Sequence, residues 1–366
     1  MRARLVTFVV IIQSILFLAH GFVYETWRFF WHLRDPVALP AMVALLSVSF
    51  VCASLLAFRY DNAPVHVFYR VAALWLGMLN FFVLAACACW IAWPVLSLAG
   101  IPVGRPAIAS LCFGLAALAG LYGVGNAARV RVNRITVTLP GLPDSWRGRQ
   151  AVLVSDTHLG PVRGYRFSAQ VAAMVRQLGP DIVFIAGDLF DGTSADYGRL
   201  ALPWKEVSPP FGTYFVTGNH EEFSDPSKYL DAVRRAGIRA LRNEKVIVDG
   251  LQIAGVNDRD SGRPDRFGSV LDALGLDRAR ASLLLVHTPH SLAVAESRGV
   301  TLQLSGHTHG GQIFPFTRLV SRAFGPYTYG LRRFGSLTVY TSSGAGTWGP
   351  PMRVGTRPEI TLIRFA

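Results

Sequence analysis

The sequence predicts an α/β layered domain placed behind a four-helix membrane region. Charged side chains are almost confined to the second part of the chain: residues 1–128 carry seven Arg and three acids, and residues 129–366 the other 49. From about Val132 onward, short apolar β-type runs alternate with helix-like segments, the pattern of an α/β layered domain. Five of those runs end in Asp, Asn or His, residue types that bind ligands at the C-terminal edge of open α/β sheets.

The first part holds four nearly uncharged stretches, Leu5–Tyr24, Ala38–Phe58, Val71–Gly100 and Pro106–Ala128. Each meets the requirement of about 20 apolar residues for crossing a bilayer core. Trp27, Trp31, Tyr60, Trp90 and Trp93 lie near stretch ends, where aromatic side chains favour the membrane interface. The third stretch is longer than one crossing needs, which predicts tilt or a short interfacial segment. Three further spans follow the first, which argues against a cleavable leader, and no Arg-Arg pair precedes it.

Four spans put both ends on one side. Arg2, Arg4, Arg59, Arg70, Arg129, Arg131 and Arg134 then face Arg28, Arg34 and Arg105 across the membrane. The excess of basic residues predicts that the second part lies in the cytoplasm of a multi-pass inner-membrane protein. Cys52, Cys87, Cys89 and Cys112 all fall inside predicted spans, so the second part has neither a disulfide framework nor thiolate metal ligands. The net charge of +13 favours anionic partners, of which membrane lipids are the nearest. No Lys/Arg-dense run or nucleic-acid motif is present, so no nucleic acid is expected.

The predicted strands are Ala151–Ser155, Asp181–Ala186, Gly212–Thr217, Leu251–Val256, Ser282–Val286, Thr301–Ser305 and Leu337–Thr341. Helical patterns cover Phe167–Leu178, Pro226–Ala236 and Pro289–Ser297. The first strand runs into Asp156 and His158, the second into Gly187, Asp188 and Asp191, and the third into Gly218-Asn219-His220-Glu221. His287 follows the fifth, and Gly306-His307-Thr308-His309 the sixth.

Asp, His and Asn without thiolates suit Mn²⁺, Fe²⁺/Fe³⁺ or Zn²⁺. If the strands stay extended through the motifs, Asp156 and His158 share one face, as do His307 and His309. Glycines before Asp188, Asn219 and His307 would let backbone approach a crowded site. Taken singly, each motif has a plain reading: a surface turn for Asp-x-His, or a helix cap for Gly-Asp-x-x-Asp. All of them in this order, each after an apolar strand, point to one site. Five of the six histidines in the second part lie in these motifs, and the sixth, His290, falls past a strand end in a predicted first helical turn. The glycine-rich Ser343–Gly349 lacks the Lys of a phosphate loop and reads as a turn. No Gly-x-Ser-x-Gly elbow is present to supply a serine nucleophile.

This set of motifs resembles the calcineurin-like metallophosphoesterases. The strings LQLSGHTHGGQI and GTWGPPMRVGTRPEITLI look like a bacterial, membrane-anchored branch, with similarity to members of the UDP-2,3-diacylglucosamine pyrophosphatase type. The resemblance covers roughly Arg134–Ala366. It implies a four-layer α/β/β/α sandwich with a dinuclear centre at one edge. It also divides the chain into a transmembrane region (1–128), a linker and first strand (129–150), and a catalytic domain (151–366).

By motif position, the resemblance implies that Asp156, His158 and His309 hold one divalent ion and that Asn219, His287 and His307 hold another, with Asp188 bridging. His220 would contact the scissile phosphate and protonate or stabilise the leaving oxygen, and Asp191 would orient a ligand. Two ions about 3.5–4 Å apart can clamp an in-line displacement, with a shared hydroxide attacking phosphorus. Thr157 replaces a commonly apolar residue without touching this set.

The predicted activity is therefore hydrolysis of a phosphoester or pyrophosphate, with a lipid-linked substrate favoured over soluble ones. Phe314–Phe334 interleaves Arg318, Arg322, Arg332 and Arg333 with aromatic residues. That segment reads either as a membrane-resting element or as a solvated loop with core anchors. A receptor or scaffold keeping the fold without turnover is the alternative, and the complete ligand set with His220 argues against it.

Overall fold

The computed structural model describes residues 2–34, 37–223 and 225–366, with the side chains of residues 2–5, including Arg2 and Arg4, outside the described set. Four helices, α1 (Arg2–Trp31), α2 (Ala38–Arg59), α3 (Ala63–Leu98) and α4 (Arg105–Ala127), are each long and apolar enough to cross a membrane. The third is the longest, as expected: its 36 residues span about 54 Å at helical rise, and Pro94 lies within it. Its polar side chains find partners. Trp75 Nε1 donates to His20 Nε2 at 2.8 Å, and Trp90 Nε1 donates to Thr26 Oγ1 at 2.9 Å, so neither indole N–H is left bare in an apolar setting. The segment Gly349–Val354 belongs to the same compact unit as these helices. Met352 packs against Gly77, and Arg353 N donates to Gly123 O at 2.9 Å.

The second unit contains two six-stranded mixed sheets. The first uses β1 (Arg131–Val137), β2 (Gln150–Val154), β3 (Ile182–Ala186), β4 (Thr213–Val216), β5 (Arg239–Ala240) and β12 (Glu359–Phe365), in the order β1-β12-β2-β3-β4-β5. The second uses β6 (Glu244–Val248), β7 (Leu251–Gly255), β8 (Ser282–Leu285), β9 (Leu302–Ser305), β10 (Gly330–Phe334) and β11 (Leu337–Thr341), in the order β10-β11-β9-β8-β7-β6. The strands β2, β3 and β4 run parallel, as do β7, β8, β9 and β11, so their C-terminal ends gather at common edges.

Alternation along each strand divides its side chains between two cores. Ala151, Leu153 and Phe184 of the first sheet meet Ile253, Leu283 and Leu304 of the second in a shared middle layer. Val152, Val154 and Ile185 face the helices Tyr165–Gln177 and Ser227–Arg235, through Val171, Val175 and Val233. On the far side, Leu284 and Val339 face Phe267 and Leu271 of the helix Pro264–Leu274. Helix, sheet, sheet and helix give the four layers. Both faces of the central strands are buried, which is why they read as continuous apolar runs.

All seven predicted strands are present, with ends shifted by a residue or two. Besides those seven and β1, which lies in the stretch 129–150 expected to hold a linker and first strand, the sheets contain the two-residue β5, the hairpin edges β6 and β10, and β12. In β12 the buried Glu359 disguises an apolar alternation; Tyr340 and Tyr329 hydroxyls donate to its two oxygens, each at 2.8 Å. The last predicted helix begins later than expected, at Leu292, so His290 sits in the preceding turn rather than in a helical first turn.

Candidate metal centre

The sequence-predicted residues converge at the joint edge of the two sheets. Asp156 and His158 follow β2, Asp188 and Asp191 follow β3, and Asn219 and His220 follow β4, all on the first sheet. His287 follows β8, and His307 and His309 follow β9, on the second. The side chains form two adjoining groups. In one, His158 Nε2 and His309 Nε2 are 3.0 Å apart and His309 Nε2 is 3.4 Å from Asp156 Oδ1. In the other, Asn219 Oδ1 is 2.9 Å from His307 Nδ1 and 3.1 Å from His287 Nε2. Asp188 Oδ2 lies between them, 3.2 Å from His287 Nε2, 3.8 Å from His158 Nε2 and 3.9 Å from His220 Nε2.

Local backbone geometry, rather than strand alternation, produces this convergence. The strands end at Val154 and Ser305, before the motifs begin. Asp156, His158, Asp188, His307 and His309 all have positive φ, between 48° and 69°. A side chain with a Cβ pays for the left-handed region with strain of order 1–3 kcal/mol, which persists only where the surroundings impose it. The expectation of extended strand ends is therefore corrected: successive left-handed turns aim Asp156 and His158, and likewise His307 and His309, into one volume.

Close backbone approach completes the packing. A Cβ on Gly218 would run into the Asp188 carboxylate, and one on Gly306 into that of Asp156. The glycine-rich Ser343–Gly349 is a turn, as expected, and it braces the site: Ala345 N donates to Ser155 O at 2.9 Å and Gly346 N to Asp156 O at 2.8 Å. The unusual Thr157 is satisfied internally, donating to Leu189 O at 2.7 Å.

Contacts behind the cluster set which ring nitrogens face inward. His287 Nδ1 meets Ala186 O at 2.8 Å, which makes Nδ1 an N–H donor and turns Nε2 toward the cluster. His220 Nδ1 meets Asp191 O at 2.8 Å, which likewise aims Nε2 inward. Asp191 Oδ1 stands 3.5 Å from His158 Nδ1, an ion-pair distance. Asp188 Oδ1 accepts from His220 N at 2.9 Å.

The electrostatics follow from burial of opposite charges. Burial opposes ionisation of Asp188, yet His287 and His220 hold its carboxyl well below the ordinary range. Burial likewise opposes charge on His287, while Asp188, then Asp156 and Asp258, keep it well above the ordinary imidazole value. Burial and the neighbouring Asp188 push Asp156 up. Burial and His287 bring His307 down to about 4.

The donor chemistry fits divalent cations. Potential ligand atoms crowd together, with the two Nε2 atoms of His158 and His309 3.0 Å apart and Asn219 Oδ1 close to both His287 Nε2 and His307 Nδ1. Carboxylates and imidazoles in buried triads, including Asp156-His158-His309 and Asp156-Asp188-His287, with the Asn219 amide oxygen beside His287 and His307, form a borderline-to-hard ligand set.

One important residue carried no assigned role in the sequence reading. Glu221 is fully buried and accepts backbone N–H bonds from Asp188 (3.0 Å), Phe190 (2.9 Å) and Gly218 (2.8 Å). Burial and Asp188 push its carboxyl up to about 7. Its signal was the three-residue spacing from Gly218, by which a carboxylate folds back on the N–H of its own turn.

A family model described as calcineurin-like phosphoesterase matches residues 150–311. A "transmembrane protein with metallophosphoesterase domain" of Danio rerio is 35% identical over 68% of this chain and 60% of its own length. A metallophosphoesterase of Aquifex aeolicus without established function is 34% identical over 68% of this chain and 97% of its own length. The chain spans 60–65% of the length of the first three curated relatives it matches. Among solved structures, the protein TT1561 of Thermus thermophilus aligns at 15% identity with a TM-score of 0.37, covering 54% of this chain and 89% of that one.

Proposed function

This chain belongs to the calcineurin-like metallophosphoesterase family, and from that premise we propose that it is a membrane-anchored, metal-dependent phosphoester hydrolase. The observation that carries the reading is the placement of Asp188 Oδ2, within 3.2 Å of His287 Nε2 and 3.8 Å of His158 Nε2, so that one carboxylate oxygen addresses both ligand groups. Asp156, His158 and His309 would hold one ion and Asn219, His287 and His307 the second, with Asp188 placed to reach both. The family typically uses two divalent metals, and the donor set here would suit Mn, Fe or Zn. Bound there, such ions supply Lewis acidity and a water acidic enough to act near neutral pH.

The chain's own residues do the rest. Asn219 and the four imidazoles fix the phosphoryl group by fixing what binds it. His220, with Nδ1 held by Asp191 O, keeps Nε2 directed at the centre and protonates the departing oxygen. Asp191 orients His158 and His220 together. No serine or cysteine nucleophile is required.

The substrate proposed is a lipid-linked phosphodiester or pyrophosphate. Four membrane-length helices and a formal net charge of +13 support it, because they hold the centre near anionic lipid. The arginine distribution supports an inner-membrane location with the α/β unit in the cytoplasm. The test is turnover by the purified full chain in detergent with Mn²⁺, against an aryl phosphodiester, soluble nucleotides and lipid-linked diphosphates. Hydrolysis above a metal-only control is expected, with lipid-linked diphosphates preferred. No turnover of any ester would overturn the hydrolase reading, and turnover of nucleotides alone would overturn the substrate.

A further inference from the structure

The segment after the His307–His309 turn is built in a way that holding metal does not require. The helix Phe316–Phe324 has no buried residue. Phe316, Leu319, Val320, Ala323 and Phe324 recur at three- and four-residue intervals and form one apolar stripe, while Arg318, Ser321 and Arg322 occupy the opposite side. Such a stripe normally packs on a core. Here only its inner margin does: the Phe324 ring lies 6.0 Å from that of His307, while Phe316 is 50% and Leu319 54% exposed.

Exposed aromatic side chains also stand beside His220. Trp348, 58% exposed, is tied to the start of this segment by a reciprocal pair: its N–H donates to Gln312 Oε1 at 2.9 Å and its O accepts from Gln312 Nε2 at 3.0 Å. Its ring lies 6.0 Å from that of His220, and the ring of Phe223, 59% exposed, lies 4.6 Å from the same imidazole. Two exposed aromatic rings thus flank His220, and together with the helix Phe316–Phe324 they form a rim. Large exposed apolar side chains grouped on one segment mark an interaction site.

The charge pattern selects the occupant. Residues 312–335 contain four arginines, Arg318, Arg322, Arg332 and Arg333, and no acid. All four are exposed. A short helix with Phe and Leu on one side and Arg on the other suits the boundary between headgroups and acyl chains, with anionic lipids attracting the arginines.

We infer that this rim docks the mouth of the metal centre onto an anionic bilayer surface. Phe316 and Leu319 enter the interface, and Arg318 and Arg322 meet lipid phosphates. The phosphoester then arrives from a lipid already embedded in the bilayer, which rests on the hydrolase reading above.

Two measurements on the full chain in phosphatidylglycerol-containing vesicles separate this inference from that reading. In the first, a nitroxide is placed at Leu319→Cys after replacing Cys52, Cys87, Cys89 and Cys112 by alanine, with Arg234→Cys as an aqueous control. The label at 319 should be reached by oxygen more than by a water-soluble nickel chelate, the reverse of the label at 234. Equal nickel access at both positions overturns docking, and so does dipolar broadening that places a second copy of the chain there. In the second, Phe316→Ser/Leu319→Ser should lower hydrolysis of a vesicle-embedded phosphodiester about tenfold, chiefly in apparent KM, and leave a soluble aryl phosphodiester within about twofold. An equal loss on both substrates, or none on the embedded one, overturns the inference. If the wild-type chain hydrolyses neither substrate, the hydrolase reading fails and the label result still decides docking.

Discussion

Replacing Glu221 tests whether the centre is held from behind as well as by its ligands. The carboxylate satisfies three buried N–H groups, and two of them, from Asp188 and Gly218, share Oε2. Leaving a buried donor unsatisfied costs about 1–3 kcal/mol, so Glu221→Ala should destabilise the α/β unit by roughly 3 kcal/mol at the low end of that range. Glu221→Gln keeps one accepting oxygen and should retain the two bonds at Oε2. It loses only the bond from Phe190, at about 1 kcal/mol. Asp188 moves with its own N–H, so Mn²⁺ affinity should fall about 10–100-fold in Glu221→Ala, the range for groups that orient ligands. The assay pairs thermal unfolding in detergent with Mn²⁺ titration by electron paramagnetic resonance. If both substitutions leave stability and Mn²⁺ affinity at wild-type values, the bracing role is wrong; if Gln is as damaging as Ala, the graded bond count is wrong.

Three further outcomes follow from the same geometry. His220→Gln should lower kcat about 10²-fold or more while Mn²⁺ binding stays at wild-type affinity, because the imidazole is assigned to proton transfer and not to ligation; a matching loss of Mn²⁺ would make it a ligand. Gly218→Ala forces a methyl group against the Asp188 carboxylate and should cost about 1–3 kcal/mol in denaturant unfolding, as overpacking does. Removing divalent cations with a chelator should lower the melting temperature reversibly, because cation at about 100 times its Kd contributes roughly 2.7 kcal/mol; an unchanged melt would argue against bound metal.

The sequence by itself determined the four membrane-length helices, seven of the strands, five of which end at the centre, and the identity of the side chains that meet there. These follow from local causes: absence of charge over bilayer length, and apolar runs that end where ligand-type residues begin. Tertiary structure decided how those side chains meet. Asp156 and His158 do not converge by strand alternation, because β2 has already ended and both residues sit at positive φ, a conformation that only surrounding contacts can hold. Asp188 Oδ2 lies between the two side-chain groups only because two sheets bring their C-terminal edges together, at sequence separations that no local pattern encodes. The same applies to Glu221, whose partners include Asp188 and Phe190, about thirty residues upstream. The helix Phe316–Phe324 carries a stripe legible in sequence, but only packing shows that Phe316 and Leu319 face outward. Periodicity fixes which residues share a face, and long-range contacts fix what that face meets.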